Sequence, residues 1–403
     1  MTAPKAIEIL PLIFGLLLAV IVIEFPRSMA FFPGVISLIA LGTYGFKHKI
    51  KPTLPKQSTI ILIAVAALAG ISILWAINSE YALERSSKLV PVFFAGLVCI
   101  SAASTLPVKA ARIIFITLAA IIACGALLAS YDLNFSKSAH KFFRGMESDA
   151  HVPYAVFNRG TVVICLSLIS VMTYFTFIQR NVKIALAAAL PLGLLMFYTD
   201  SQSTQLALLI ALIFFFAFPI KCKNSWYALA GLISALILAA PFFTPLLYTQ
   251  ADTINSLPFF GHGMGYAGPR LEIWDYVGRY IQQNPLYGYG IEATRHITDF
   301  DSAQKFIDVN TILHPHNFAL QLWIEFGVIG ALACCAFIFW LFRQMMRLES
   351  PHVQRAALAS FMAILSISAT GYGIWQSWWL GTLLFTAAQI ILLKRAAAET
   401  AVD

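Results

Sequence analysis

The stretch Leu313–Phe342, LHPHNFALQLWIEFGVIGALACCAFIFWLF, decides how this chain is read. Its second half is apolar without interruption, and the whole is long enough to cross a hydrocarbon core, which takes about 20 helical residues. The first half is unusual for such a place. Two histidines flank a proline, and Asn317, Gln321 and Glu325 enter the apolar run. A spacing of four puts those three side chains on one helix face. Polar groups at that depth face a bundle interior or a wet cavity, not lipid. The spacing predicts a membrane helix over 316–342 with a polar outer mouth. His314 takes the cap, Pro315 the first helical position, and His316 and Asn317 the first turn.

Similar runs recur along the chain. Of its 403 residues, 59% are hydrophobic and 11% charged, under half the usual charged share of about 25%. This composition excludes an ordinary soluble domain and predicts an all-α polytopic membrane protein, a single integral membrane domain over 1–403. A window of about 19 residues places about twelve spans near 8–24, 29–46, 58–77, 89–106, 112–131, 160–178, 183–199, 203–219, 226–246, 316–342, 355–375 and 378–394. No small-residue cleavage site follows the first run, which is expected to be an anchor and not a removed signal.

Basic residues concentrate in alternate loops, such as Lys47 to Lys56, Arg180 and Lys183, Lys221 and Lys223, and Arg343 and Arg347. The positive-inside rule makes these loops and both termini cytoplasmic. The net charge of +8 therefore sets orientation, and no nucleic-acid partner is expected. None of the six cysteines stands at metal-binding spacing.

The other loops include a long one over 247–313, and connections of that length tend to be functional. Within it, GPRLEIWDYVGRYIQQNP (Gly268–Pro285) reads as an amphipathic helix near 269–283. Pro269 suits its first turn, Leu271, Trp274, Val277 and Ile281 recur at helical spacing, and Asn284-Pro285 stops it. Such a helix lies on the bilayer surface or caps the bundle. Arg270 sits at its start, where the helix dipole disfavours a cation. LYGYGIEATR follows, its glycines allowing close backbone approach and delivering Glu292 and Arg295.

At the mouth of the 316–342 helix, the helix start favours neutral imidazole, which can accept a proton near neutral pH. Two further polar islands lie at the same level: Asn158 with Arg159, and TDSQSTQLAL (Thr199–Leu208). We expect Gln202, Ser203 and Gln205 to line one cavity with Gln321 and Glu325. Asp299 and Asp301 form a spaced acidic pair without an identifiable partner, and no metal site is expected.

In this order, FNRG, SQSTQLAL, RLEIW, GYGIEATR and LHPHNFALQLWIEFGVIG resemble the O-antigen ligase family, part of a group that includes O-antigen polymerases. The likeness covers the C-terminal two thirds of the chain. Many members carry an arginine in a Ser-Arg-Gly motif where Thr204 stands here, so Arg159 or Arg295 would have to supply that charge. The resemblance implies a metal-independent, inverting GT-C type membrane glycosyltransferase with no cofactor. Its donor would be a glycan on undecaprenyl pyrophosphate, and its acceptor a sugar hydroxyl of lipid A–core. The reaction would take place at the periplasmic face of the bacterial inner membrane. His316 is the expected base, with Asn317 or His314 holding its tautomer. Arg270, with Arg159 or Arg295, would bind the pyrophosphate through the planar guanidinium fork. The alternatives are an O-antigen polymerase, a protein O-glycosyltransferase and, from a different class, a lipid-linked sugar flippase with broken helices at the bilayer midplane.

Overall fold

A computed structural model describes residues 6–49, 51–256, 267–298, 305–307 and 311–399. Among these there is no strand. The chain opens with α1 (Ala6–Glu24), α2 (Phe32–His48), α3 (Lys56–Ile71), α4 (Ser79–Thr105) and α5 (Lys109–Asn134). A short α6 (Ser138–Arg144) leads to α7 (Asn158–Thr173), α8 (Val182–Tyr198), α9 (Gln202–Ala217) and α10 (Lys223–Thr249). Next come α11 (Ala251–Ser256), α12 (Ala267–Gln283), α13 (Phe318–Met346), α14 (Pro351–Thr370) and α15 (Ser377–Glu399).

Among the described residues, eight helices are long and apolar enough to cross a membrane, with shorter apolar helices at Leu10–Glu24, Val182–Tyr198 and Gln202–Ala217. Of the expected spans, those near 8–24, 183–199 and 203–219 fall on these shorter helices α1, α8 and α9, and that near 29–46 falls on α2, which is in neither group.

Helix ends follow local chemistry. Asn78 Oδ1 accepts the Tyr81 N–H at 2.9 Å to start α4, the usual service of an N-cap amide. At the opposite end of the bundle, Arg395 donates to the carbonyls of Ala103 and Leu106 at 2.8 and 2.6 Å. Arg355 donates to that of Phe215 at 2.6 Å. These arginines occupy carbonyls that the ends of α4 and α9 leave free.

The apolar interior has two main bodies. One gathers α1, α4, α5, α7, α8, α9, α14 and α15 around Phe115, Phe157, Ile164 and Trp379. The other gathers α10, α12, α13 and α14 around Trp226, Val277, Ile324 and Phe342. The helix expected near 269–283 is α12; it buries Leu271, Val277 and Ile281 and packs on α10 and α13.

Two expected spans need correction. The 355–375 segment is not helical throughout: α14 ends at Thr370, and Gly371–Gln376 is an irregular connector. The 316–342 helix begins at Phe318 and is broken at Gly327, whose φ of 59° and ψ of −153° lie outside any helix. That region is essentially open to glycine alone. The break frees carbonyls above it, and Tyr289-Gly290 takes them: Tyr289 N donates to Ile324 O at 2.8 Å, and Gly290 N to Glu325 O at 2.9 Å. Below the break, Val328 N donates to Pro285 O at 2.8 Å. Buried backbone groups must find partners, and here a neighbouring segment supplies them.

Gly327→Ala should cost about 1–3 kcal/mol from backbone strain alone, and its Cβ would also meet the Leu286 backbone. We expect a lowered unfolding midpoint in detergent. Gly42→Ala in α2, where an added Cβ meets nothing, should leave the midpoint unchanged or raise it; equal behaviour of the two variants would remove the structural role of the break.

Candidate active site

α13 starts on the side chain of Asn317, whose Oδ1 accepts the N–H groups of Ala319 and Leu320 at 3.0 and 3.2 Å. This corrects the expected start: the cap is Asn317, not His314, and Pro315 and His316 precede the helix. An amide oxygen on a short stem reaches the orphan N–H groups better than an imidazole held in the preceding turn. Asn317 is thereby committed to the helix and is not the group that orients His316.

His316 has a backbone φ of 53°, a left-handed conformation rare for a residue with a Cβ. Two bonds hold it there. Its N–H donates to His314 Nδ1 at 3.3 Å, and its own Nδ1 lies 2.6 Å from the carbonyl oxygen of Gly371. A carbonyl only accepts, so Nδ1 carries the proton and Nε2 keeps its lone pair. Sequence reasoning missed Gly371 because it was counted inside a span. One signal was available: Gly371–Ile374 repeats the GYGI of Gly288–Ile291.

The turn is braced from α12. Trp274 Nε1 donates to Pro315 O at 2.9 Å. Two positions earlier, buried Glu272 accepts the N–H groups of Lys305 and Phe306 at 2.7 and 2.8 Å. The same helix brings Arg270 close enough that its charge acts on His316. Arg270 is half-buried, and among the described residues no carboxylate or carbonyl engages its guanidinium. Burial holds its pKa below the ordinary range.

Burial also pushes the His316 imidazole down, with Arg270 adding to the effect and the bond to Gly371 opposing it. His314, 8% exposed, is pushed down to about 3 by burial first, then by His316 and Arg295. The expected helix-start effect is therefore secondary to desolvation. Both rings are neutral near pH 7.

Arg295 also acts on His314, yet its Nε is paired with Glu292 at 2.6 Å. Arg159 lies at the start of α7 beside Tyr372, with its guanidinium 5.8 Å over the Trp378 ring. Tyr372 directly follows Gly371, so the connector that orients His316 also touches Arg159.

Of the polar stripe, Asn317 is half-buried, whereas Gln321 and Glu325 lie inside the bundle and not on the cavity expected for them. Gln321 and Glu325 are 1% and 0% exposed. Gln321 donates to Glu325 at 2.9 Å and accepts the Ile374 N–H at 3.0 Å; Trp375 Nε1 donates to the other Glu325 oxygen. The pair latches the Gly371–Gln376 connector onto α13. Ser203 lies near Gly371. Gln205 instead donates to Met196 O at 2.7 Å, which holds α8 to α9, and Gln202 is exposed. The pair Asp299 and Asp301 falls outside the described residues.

The fold and this cluster define a polytopic helical membrane protein with a neutral histidine pair, one buried and one half-buried, beside an arginine unpaired among the described residues. Residues 186–335 match the family described as O-antigen ligase. The match takes in α12, the His-Pro-His turn and Gly327, but not Arg159. The chain is 27% identical over 170 residues to a protein of Rickettsia conorii named "putative polysaccharide ligase", covering 41% of each. A protein of Rickettsia bellii of the same description is 26% identical over 217 residues, 51% of each chain. These matches span about half or less of the length of the relatives.

Two measurements check this geometry. 15N spectra of histidine-labelled protein at pH 7 should show His316 protonated on Nδ1 and bare on Nε2. Both folded pKa values lie below the ordinary 6.5. The unfolded chain then binds more protons, and stability is present above pH 6.5 and lost as pH falls. For His314 that window runs down to about 3. The unfolding midpoint should fall between pH 6.5 and 4, less steeply in His314→Gln.

Proposed function

We propose that this protein is an O-antigen ligase, a GT-C type glycosyltransferase that moves a glycan from undecaprenyl pyrophosphate to a sugar hydroxyl of lipid A–core. The reading places its spans, about twelve, in the bacterial inner membrane with both termini cytoplasmic and the histidine turn at the periplasmic face. The observation that carries the reading is the His316 Nδ1–Gly371 O bond beside unpaired Arg270. It leaves a neutral Nε2 to accept a proton and a free fork to meet an anion.

In the proposed reaction, Nε2 of His316 takes the proton of the acceptor hydroxyl as that oxygen attacks the anomeric carbon. The bond from that carbon to the diphosphate oxygen breaks, and the diphosphate leaves with the electron pair. Attack opposite the leaving group inverts the anomeric centre. Arg270 stabilises the charge that develops on the diphosphate, in a half-buried setting where such stabilisation is strong. Arg295, steadied by Glu292, adds positive potential near His314. His314 and Gly371 position the base. The chemistry as drawn needs no metal.

Transfer by purified protein from a defined lipid-linked donor to lipid A–core, with and without chelator, tests the reading. His316→Ala should lower the rate about 10²–10⁴-fold, the usual worth of a general base. Arg270→Lys should lower it about 10²-fold, because a point charge does not replace two parallel donors. Near-normal transfer by His316→Ala would refute the base role. Products built from two lipid-linked glycans would replace the ligase with a polymerase, and no transfer in detergent would favour a flippase.

A further inference from the structure

A second place on the molecule combines unpaired cations with an apolar cavity, away from His316 and Arg270. After α1 the chain makes a tight 3-10 turn, Pro26–Ala30. Gly381 lets the backbone of Met29 and Ala30 lie directly on α15, and α7 begins against the same turn. Arg27 thus becomes a charge that acts on Arg159. Arg27 is exposed and Arg159 half-buried, and two like charges that act on each other favour an anion between them.

The polar atoms around them are equally unserved. Arg159 Nε, Asn158 Oδ1 and Ser28 Oγ are all buried without a hydrogen-bond partner. Buried polar groups left unmade are costly, and three at one spot call for a ligand or ordered water. Arg159 and Ser28 are donors suited to phosphate oxygens.

Directly below lies a cavity of about 270 Å³ between α1, α2, α4, α5, α7 and α15. Its wall begins at Met29, two residues from Arg27, and at Val163, one turn from Arg159. It continues past Phe32 and Phe385 to Leu106 and Leu392 at the far end of α4 and α15. The space is small, and its almost wholly apolar lining does not suit an oligosaccharide. A hydrocarbon chain fits both properties.

We infer that Arg27, Arg159 and Ser28 bind the phosphate of the acylated acceptor lipid, whose hydrocarbon chain enters the cavity between α1, α2, α7 and α15. This rests on the reading of the protein as a transferase between two lipid-borne substrates. The first substrate has its place in that reading: a pocket of about 290 Å³ is lined by Leu236, Phe243, Leu320, Asn317 and Trp274, the last one turn along α12 from Arg270. The second pocket-and-cation pair then falls to the second lipid. Every residue lining the cavity between α1, α2, α7 and α15 lies outside the 186–335 segment that matches the family.

The test uses the purified full chain and a phosphatidic acid with a photoreactive diazirine in its acyl chain, compared with the matching diacylglycerol. Phosphatidic acid should label the peptides around Phe32 and Phe385 about tenfold more strongly, the ratio given by one charge-assisted contact. Arg27→Gln and Arg159→Gln should each remove that excess, Ser37→Trp should block labelling by filling the cavity, and unlabelled lipid A–core should compete. Equal labelling by the two probes would overturn the proposal. So would competition by undecaprenyl pyrophosphate without competition by lipid A–core. Labelling does not depend on turnover: His316→Ala should label normally. Loss of transfer with intact labelling indicts the transferase reading, and the reverse indicts this site.

Discussion

The constraint on which the structure turns is the break of α13 at Gly327. A helix broken inside an apolar bundle exposes carbonyls that no water reaches. The chain answers with two segments of the same sequence, GYGI at Gly288 and GYGI at Gly371. The first lays its N–H groups on Ile324 O and Glu325 O. The second is tied to Gln321 and Glu325 by the Ile374 N–H and the Trp375 indole. The nine residues from Phe318 to Phe326 therefore form a short column, held on both sides by irregular backbone. Its top carries the histidine turn.

This arrangement explains why an acid lies inside a membrane helix. Glu325 takes bonds from Gln321 and Trp375 and fixes the connector whose first carbonyl orients His316. The Glu325 side chain acts through structure, by way of the connector, and does not touch the imidazole itself. The same economy appears in α12, where Arg270, Glu272 and Trp274 stand at alternate positions. Arg270 faces the histidine, Glu272 anchors Lys305 and Phe306, and Trp274 braces Pro315.

Much of this was legible in the residues. Hydropathy located the helices, because each apolar run is a local property of the chain. The polar stripe at 317, 321 and 325 predicted a face turned from lipid, and RLEIW predicted a helix bearing Arg270. Three features were hidden. Gly327 in an apolar run looks like any small residue of a membrane helix, and its break depends on Tyr289 and Gly290 arriving from elsewhere. Gly371 was absorbed into a span because Ile374 and Trp375 extend the apolar pattern. Arg27 reads as a loop residue until the α15 contact at Gly381 brings it to Arg159. All three are non-local, and one-dimensional patterns do not carry them.

The left-handed backbone of His316 has a mechanical meaning. Nothing within α13 favours that conformation, which is maintained by Gly371 at the end of α14 and by His314 before it. Gly371 hangs from the body of α7, α14 and α15, whereas the column of α13 belongs with α10 and α12. The imidazole is therefore cocked by the relative position of two packed bodies that meet along α14. Any sliding of one against the other, including one driven by a lipid wedged among α1, α2, α7 and α15, would move the imidazole directly, as a trigger moves with its frame.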